Sequence, residues 1–536
     1  MVNLDTLEPN DLVGCRYRSL LRRLFPDTPP TEASAARRAR LELTRQHVLS
    51  LFPTHPAIGD ARRFIRIDIA AESDDERYFA TLEALAANAT LITNARLLWE
   101  SPKGEIVTDL DALVQRQDGS YMPVLITNHR VARNDADRSL QVIASRRLGL
   151  SAPITEHFRL KHHAVDSYTL AIAARSLDDL GIGCARGALI GQDHTRCFVL
   201  NTDLFQQGLE QALQVVVADV PHRVKECASC RFWEHCSREL QASDDISLLF
   251  SGEKGAHLKA QGFSTIAALA ASPGSDDDRM LARACAAGHD VIRRHASVSA
   301  PAFDVEIDID VEAYLDQGAY LWGVYDGQEY VPFVTWQQLG GREEAANFAN
   351  FYAWLRGRIQ DAEDQGLSVG VFCYSAHGEN HWLRTSARRF YARWHEEIPQ
   401  LPSEAEITEF IASARWIDVF ALVRRQLLGT HGLGLKVVAP IAGASWEVAD
   451  LDGEGSVNLY LEAIGQHQPN DAAASFHAQA SAQQEGSQLL SAEMQAARDA
   501  LLSYNGDDCR ATAAVRHFLA AGAPGVPLGA STPDCS

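Results

Sequence analysis

Five acidic residues alternate with apolar ones in the segment FDVEIDIDVEAY, and a β-strand there sets Asp304, Glu306, Asp308, Asp310 and Glu312 on one face. Like charges in such a row repel one another, and a divalent cation at one end would relieve them. A second pattern is Cys227-x2-Cys230-x5-Cys236, which brings three thiols within reach of one centre. Soft thiolates select zinc or an iron–sulfur cluster. The fourth ligand is missing locally. Cys15, far upstream, would close the site and tie the N-terminus to it, whereas His222 or His235 would complete a Cys3His zinc site. A third pattern is Tyr504-x3-Asp508 in LLSYNGDDCRATAAVRHFL. Positions i and i+4 share a helix face, so the phenol can orient a water while the carboxylate binds metal.

Such residues act only if elements position them. At 536 residues, 46% hydrophobic and 22% charged, the chain has the length and composition of several folded domains. No apolar run reaches the length of a membrane span, and MVNLDTLEPNDLVGC lacks the basic-then-apolar order of a signal peptide. The expectation is a cytoplasmic chain with reduced cysteines and no membrane partner. A net charge of −21 argues against coating nucleic acid through overall electrostatics. Local patches would have to serve, such as Arg16, Arg18, Arg22, Arg23, Arg37, Arg38, Arg40 and Arg45, which read equally well as solvated helix faces.

Apolar spacing predicts helix through residues 12–51 and a helical stretch near 81–87. A strand pair follows at 106–116 and 121–127, turning at Asp118-Gly119, with further helices over 140–148, 165–180 and 204–217. Residues 1–243 therefore read as one α/β domain. The segment 244–300 reads as a helical linker in which turns at Gly252 and Gly262 offer N–H groups to a phosphate, in the manner of a helix-hairpin-helix unit. From 301 to 522 strands and helices alternate again, beginning with strands on either side of an Asp326-Gly327 turn. In RWIDVFALV, Asp418 either joins the acids or caps a helix, and in LGLKVVAPIAG, Lys436 stands where a helix start meets a phosphate. Residues 466–488 read as an insertion or flexible loop and 523–536 as a loose tail.

One distant cysteine followed by a compact trio resembles the iron–sulfur nucleases of the RecB-like class. The resemblance implies a structural [4Fe–4S] cluster on Cys15, Cys227, Cys230 and Cys236, with zinc as the alternative. It also matches His47, Asp111 and Gln141 to the helical histidine, strand carboxylate and supporting glutamine of a PD-(D/E)XK nuclease. Leu125, Ile126 and Thr127 stand where that family has Glu-x-Lys, and Ser145 stands near its usual tyrosine. The implied N-terminal domain keeps the fold, has lost the catalytic set, and binds substrate or partner.

The C-terminal half resembles RNase H-like exonucleases of the DEDD type, whose first strand carries Asp-x-Glu near its end. That implies Asp310 and Glu312 as the metal pair, with Asp304 and Glu306 as a competing register. Glu379 lies at the second acidic motif, where aspartate is usual, and Tyr504 with Asp508 at the third. Two Mg²⁺ or Mn²⁺ ions on Asp310, Glu312, Glu379 and Asp508 would then hydrolyse DNA or RNA from a 3′ end. The whole order, an α/β multidomain chain of degenerate PD-(D/E)XK domain, small helical linker and RNase H-like domain, resembles a bacterial RecB-like nuclease family. The rival reading is a non-catalytic nucleic-acid-binding or scaffold protein with both folds degenerate. A third is a zinc-stabilised regulatory protein.

Overall fold

The computed structural model describes residues 6–56, 64–217, 219–315, 317–448, 453–465 and 491–529. The chain divides into two compact units, one of residues 1–243 with 250–256 and the other of residues 244–249 with 257–536. The helical stretch after residue 243 is thus shared between the units instead of forming a third.

In the N-terminal unit the helical stretch expected over 12–51 forms two helices, α1 (Tyr17–Leu24) and α2 (Glu32–Leu51), separated at the proline-rich PDTPP, the second capped by the Thr31 hydroxyl. The other elements in order are β1 (Arg66–Asp68), α3 (Asp74–Ala86), β2 (Leu91–Ser101), β3 (Gly104–Gln115), β4 (Tyr121–Ile126), β5 (Ala132–Asn134), β6 (Leu140–Ala144), β7 (Ile154–Glu156), β8 (Phe158–Leu160), α4 (Ala164–Asp179), β9 (Arg186–Ile190), β10 (Arg196–Asn201), α5 (Asp203–Gln214) and α6 (Trp233–Ala242). Eight strands form one sheet in the order β1-β2-β3-β4-β9-β10-β6-β7. The β3–β4 hairpin turns at Asp118-Gly119, with Gly119 at φ +83° as that turn requires. From β4 the chain crosses through β5, β6 and α4 to β9, which pairs parallel to β4. Strand β4 is buried on both faces: Tyr121 and Leu125 pack with α4 and α5, while Met122, Val124 and Ile126 pack with Val48 and Phe52 at the end of α2.

The helix expected over 140–148 is instead strand β6 followed by a short 3-10 turn. Its apolar run is too short for periodicity to distinguish helix from strand. Gln141 consequently lies exposed on a strand paired with Val199 and Thr155, not on a helix beside a nuclease site.

The C-terminal unit begins with helices α7 (Glu253–Ala260, shared with the first unit), α8 (Ile266–Ala271) and α9 (Asp277–Ala286). The glycine turns there do not offer N–H groups outward. Gly252 N–H donates to Arg223 O at 2.8 Å and Gly262 N–H to Lys259 O at 2.9 Å. There follow β11 (Val291–Arg293), β12 (Val305–Tyr314), β13 (Gly318–Tyr325), β14 (Tyr330–Val334), α10 (Arg342–Asp364), β15 (Val369–Cys373), α11 (His377–Trp394), α12 (Glu404–Ala412), β16 (Trp416–Asp418), α13 (Val419–Gln426), β17 (Leu427–Gly429), α14 (Leu435–Val438), α15 (Gly453–Ala463) and α16 (Ala492–Ala520). Five strands form a sheet in the order β14-β13-β12-β15-β16, antiparallel as far as β12 and parallel beyond it.

The alternation in β12 does what its sequence demands. Ile307 and Ile309 enter the core shared with α10 and α11, so the acids face the opposite layer, where α16 lies. The insertion expected at 466–488 lies outside the described residues, as do residues from 530 onward. Residues 523–529 are not loose. Val526 is buried, and Gly529 N–H donates to Arg293 O, adding a short bridge beside β11.

Candidate metal centre

The five acids of β12 part company along the strand. Asp304, at its start, accepts from the Ser368 backbone and hydroxyl. Asp308 is fully buried and is gripped by Arg516 of α16, with Nε to Oδ1 at 3.0 Å and a terminal nitrogen to Oδ2 at 2.9 Å. Arg516 also pairs with Glu306. The competing register, Asp304 with Glu306, is therefore spent on the fold. Asp310 and Glu312, nearer the strand's end, instead meet Asp508 of α16, with ligand oxygens of all three lying within 4.8 Å of one another.

Glu379 stands in the first turn of α11, just beyond the end of β15, outside that trio but near enough for its charge to act on Asp310 and Glu312. It is buried, and its Oε2 has no hydrogen-bond partner. The backbone that delivers it passes through Ser375, a non-glycine residue at φ +74° whose N–H donates to Asp418. Asp418 caps α13 by accepting from Ala421 N–H at 3.1 Å, so the capping alternative holds. Its charge still helps raise the Glu379 carboxyl.

Tyr504 lies one turn before Asp508 on α16 and hydrogen-bonds to its carboxylate. Lys436 lies inside α14, with Nζ 5.0 Å from the Tyr504 ring centre, and its charge favours ionised Glu312 and Asp508.

Three supporting residues escaped the sequence reading. Asn505, fully buried, donates from Nδ2 to Asp310 Oδ2 at 2.7 Å and accepts from the Tyr330 hydroxyl at 2.7 Å. Trp446 donates from Nε1 to Asp508 Oδ1 at 2.8 Å. Ser456 of α15 hydrogen-bonds to Glu312. Asn505 sits beside Tyr504 in the motif and alone could have been suspected; the other two act across long sequence gaps.

Asn505 fits because Gly323, opposite Asp310 in the β12–β13 ladder, has no side chain. A Cβ at that position would lie 1.7 Å from Asn505 Oδ1. Gly323→Ala is accordingly expected to destabilise the unit by about 1–3 kcal/mol and weaken Mn²⁺ binding, as read by chemical denaturation and metal titration. Unchanged Mn²⁺ affinity would remove Asn505 from the centre.

Burial is the largest influence on all four carboxyls. It pushes Glu379 up to about 8, and it raises Asp310 and Glu312 with further help from neighbouring negative charges, Asp508 foremost. Asp508 also rises, restrained by the Trp446 hydrogen bond and by Lys436. Unfolded carboxyls ionise near pH 4, so between about 4 and 8 the metal-free folded chain holds extra protons and loses stability as pH rises. Bound Mn²⁺ replaces those protons. The rise in Tm on adding Mn²⁺ is therefore expected to be larger at pH 8 than at pH 6, and equal rises would contradict this account.

The donor set suits a hard divalent cation: three convergent carboxylates where the central strand β12 meets α16, with the buried unpartnered Oε2 of Glu379 nearby. Residues 307–520 match the RNase_H_2 family model, of the RNase H superfamily. The C-terminal unit carries an RNase H-superfamily domain. No curated protein matches the chain. A crystal structure of SSO0001 aligns at 15% identity over 44% of this chain and 87% of that one, with a TM-score of 0.21, too low to carry an argument.

The RNase H-like acids contrast with the N-terminal unit's expected nuclease set. Asp111 is buried and paired with Arg45, Nε to Oδ1 at 2.8 Å, while its Oδ2 accepts from Ile126 N–H. His47 is exposed on α2 and lies against the His194 ring instead. An arginine thus occupies the charge partner's place at Asp111. Other arginines of the basic stretch are also spent on the fold: Arg16 donates to Asp11 O, and Arg22 pairs with Glu8 and Asp11.

The structure brings Cys15 together with Cys227, Cys230 and Cys236. Burial pushes the Cys236 thiol up to about 12, and the other three sulfurs add to the rise. No disulfide joins them. Tyr17, Leu21 and Phe232 pack around the group. Both candidate histidines are engaged elsewhere, His222 with Gly252 O at 2.9 Å and His235 with Glu239 at 3.0 Å.

Proposed function

We propose that this protein is a metal-dependent nuclease whose C-terminal unit hydrolyses phosphodiester bonds of DNA or RNA from a 3′ end, with a RecB-like N-terminal unit that binds substrate or partner. The observation that carries the reading is the convergence of Asp310, Glu312 and Asp508, from β12 and α16, at one end of the RNase H-like sheet, with Glu379 of α11 near enough for its charge to act on Asp310 and Glu312. Mg²⁺ or Mn²⁺ held there would supply an activated water and neutralise charge on the leaving oxygen.

The protein's own residues prepare that step. Asn505 and Trp446 each donate to one oxygen of Asp310 and Asp508 and so orient the two carboxylates that would hold the ion. Tyr504, kept neutral by burial among acids, is a donor beside Asp508 that can orient the attacking water. Lys436 gives a cation next to the acids, suited to a non-bridging phosphate oxygen. Two residues beyond Glu312, Tyr314 helps line a cavity of about 370 Å³ with Trp336, Tyr460 and three glutamines, a surface on which an unpaired base can stack.

The test is anaerobically purified protein with Mn²⁺ on end-labelled single-stranded DNA and RNA. A shortening ladder supports the reading, whereas intact substrate in both cases favours the non-catalytic binding protein.

For the N-terminal unit, three antiparallel strands β2–β4, then α4 and a strand parallel to β4, support a RecB-like core whose catalytic pair is gone. Four convergent thiols with no disulfide fit a [4Fe–4S] cluster as a staple. Anaerobic preparations are expected to carry about four iron atoms per chain, lost in Cys236→Ser. One zinc and no iron would assign the site to zinc.

A further inference from the structure

Close to the degenerate nuclease position, the N-terminal unit gathers a different set of ligands. Strand β5 pairs with β8 in the register Ala132↔Leu160, and continuing that antiparallel register outward past both strands brings His129 opposite His163. Lys161 N–H donating to Val131 O closes the gap between them. The two imidazoles stack with ring centres 3.5 Å apart. His163 is also the residue that precedes α4, and Asp166, one turn into that helix, comes onto the same spot.

The loop carrying His129 is fixed in place. Gln192 N–H donates to His129 O, and Gly191 permits the approach, because a Cβ there would lie 2.7 Å from that oxygen. Thr127, which stands where a nuclease lysine would be, places its hydroxyl 2.6 Å from His129 Nδ1. Nε2 is left to face Asp166 Oδ2 at 2.9 Å. Apart from that ion-pair contact, Asp166 Oδ2 is a shielded oxygen that accepts no hydrogen bond. His163 Nε2 is likewise shielded and unpartnered.

A carboxylate oxygen and two imidazoles, all within 4.8 Å and short of hydrogen-bond partners, are what a cation would satisfy. We propose that His129, His163 and Asp166 bind one zinc-class divalent ion, with three protein ligands and an open fourth position, the Thr127 hydroxyl orienting the first ligand. Zinc prefers bonds of about 2.0–2.2 Å to such donors, so modest rotation of the stacked rings would close the site. The proposal does not depend on nuclease activity in either unit.

The test uses the full chain, purified with its cysteine site loaded. Zn²⁺ titrations by calorimetry would compare the wild type with His163→Ala and Asp166→Asn. The wild type is expected to take up one more Zn²⁺ per chain than either variant, or to bind it at least about 100-fold more tightly. Co²⁺ bound to the wild type should give the weak visible bands of nitrogen and oxygen ligands without thiolate charge transfer, and both variants should lose them. Thermal melts of metal-free protein establish that the variants fold. Equal Zn²⁺ stoichiometry and affinity in wild type and folded Asp166→Asn would overturn the assignment, as would Co²⁺ bands of thiolate origin alone.

Discussion

Asp310→Asn and Asp508→Asn are each expected to lower Mn²⁺-dependent phosphodiester hydrolysis by about 1,000-fold or more, while the C-terminal unit stays folded. The size follows from a loss of roughly 4 kcal/mol of transition-state stabilisation when one shared ligand of a two-ion centre is removed. The fold should survive because both residues are acids that burial already strains. Replacing a repelled carboxylate by an amide relieves the metal-free state, so Asp310→Asn is expected to raise the Tm at pH 8 without metal. Single-turnover cleavage of end-labelled DNA and RNA, with melts in parallel, reads both effects. Wild-type rates in both variants would remove these residues from the chemistry.

The second large effect is structural. Arg516→Leu leaves Asp308 buried without its counter-charge, and such a loss costs about 3–5 kcal/mol. Burial holds the Asp308 carboxyl up at about 6 even with Arg516 beside it. Protonation below that pH removes the uncompensated charge, so the penalty in urea titrations should shrink from pH 8 to pH 5. Adding Asp308→Asn should restore most of the stability at pH 8. A pH-independent loss would mean that Arg516 acts through packing on Phe372, over whose ring its guanidinium also lies.

The sequence carried the site further than it carried the fold around it. Strict alternation in FDVEIDIDVEAY placed four acids, Glu306, Asp308, Asp310 and Glu312, on one face of the strand, since a period of two leaves no other arrangement, while Asp304 lies just before it. It could not say which two meet the metal, because that depends on where along the strand Arg516 and Asp508 arrive from α16. The i, i+4 spacing of Tyr504 and Asp508 was legible for the same local reason. Trp446 was not, since its role is a single hydrogen bond to a residue 62 positions away. Residues 140–148 failed because LQVIASRRL suits a short strand as well as a helix turn, and with it went the supposed place of Gln141. The histidine and aspartate set at His129 was invisible because it is assembled by β5–β8 pairing, which short strands scarcely announce.

The buried link between Asp308 and Arg516 spans 208 positions of sequence, and the centre between Asp310 and Asp508 spans nearly as many. During synthesis, strand β12 leaves the ribosome long before α16 exists, with its acids facing no arginine, asparagine or tryptophan. Sheet and outer helices can assemble in that interval, but the layer that completes the acid cluster must wait until α16 has been made. The cluster is thus among the last parts of this unit to assemble, an order of events imposed by where one helix falls in the sequence.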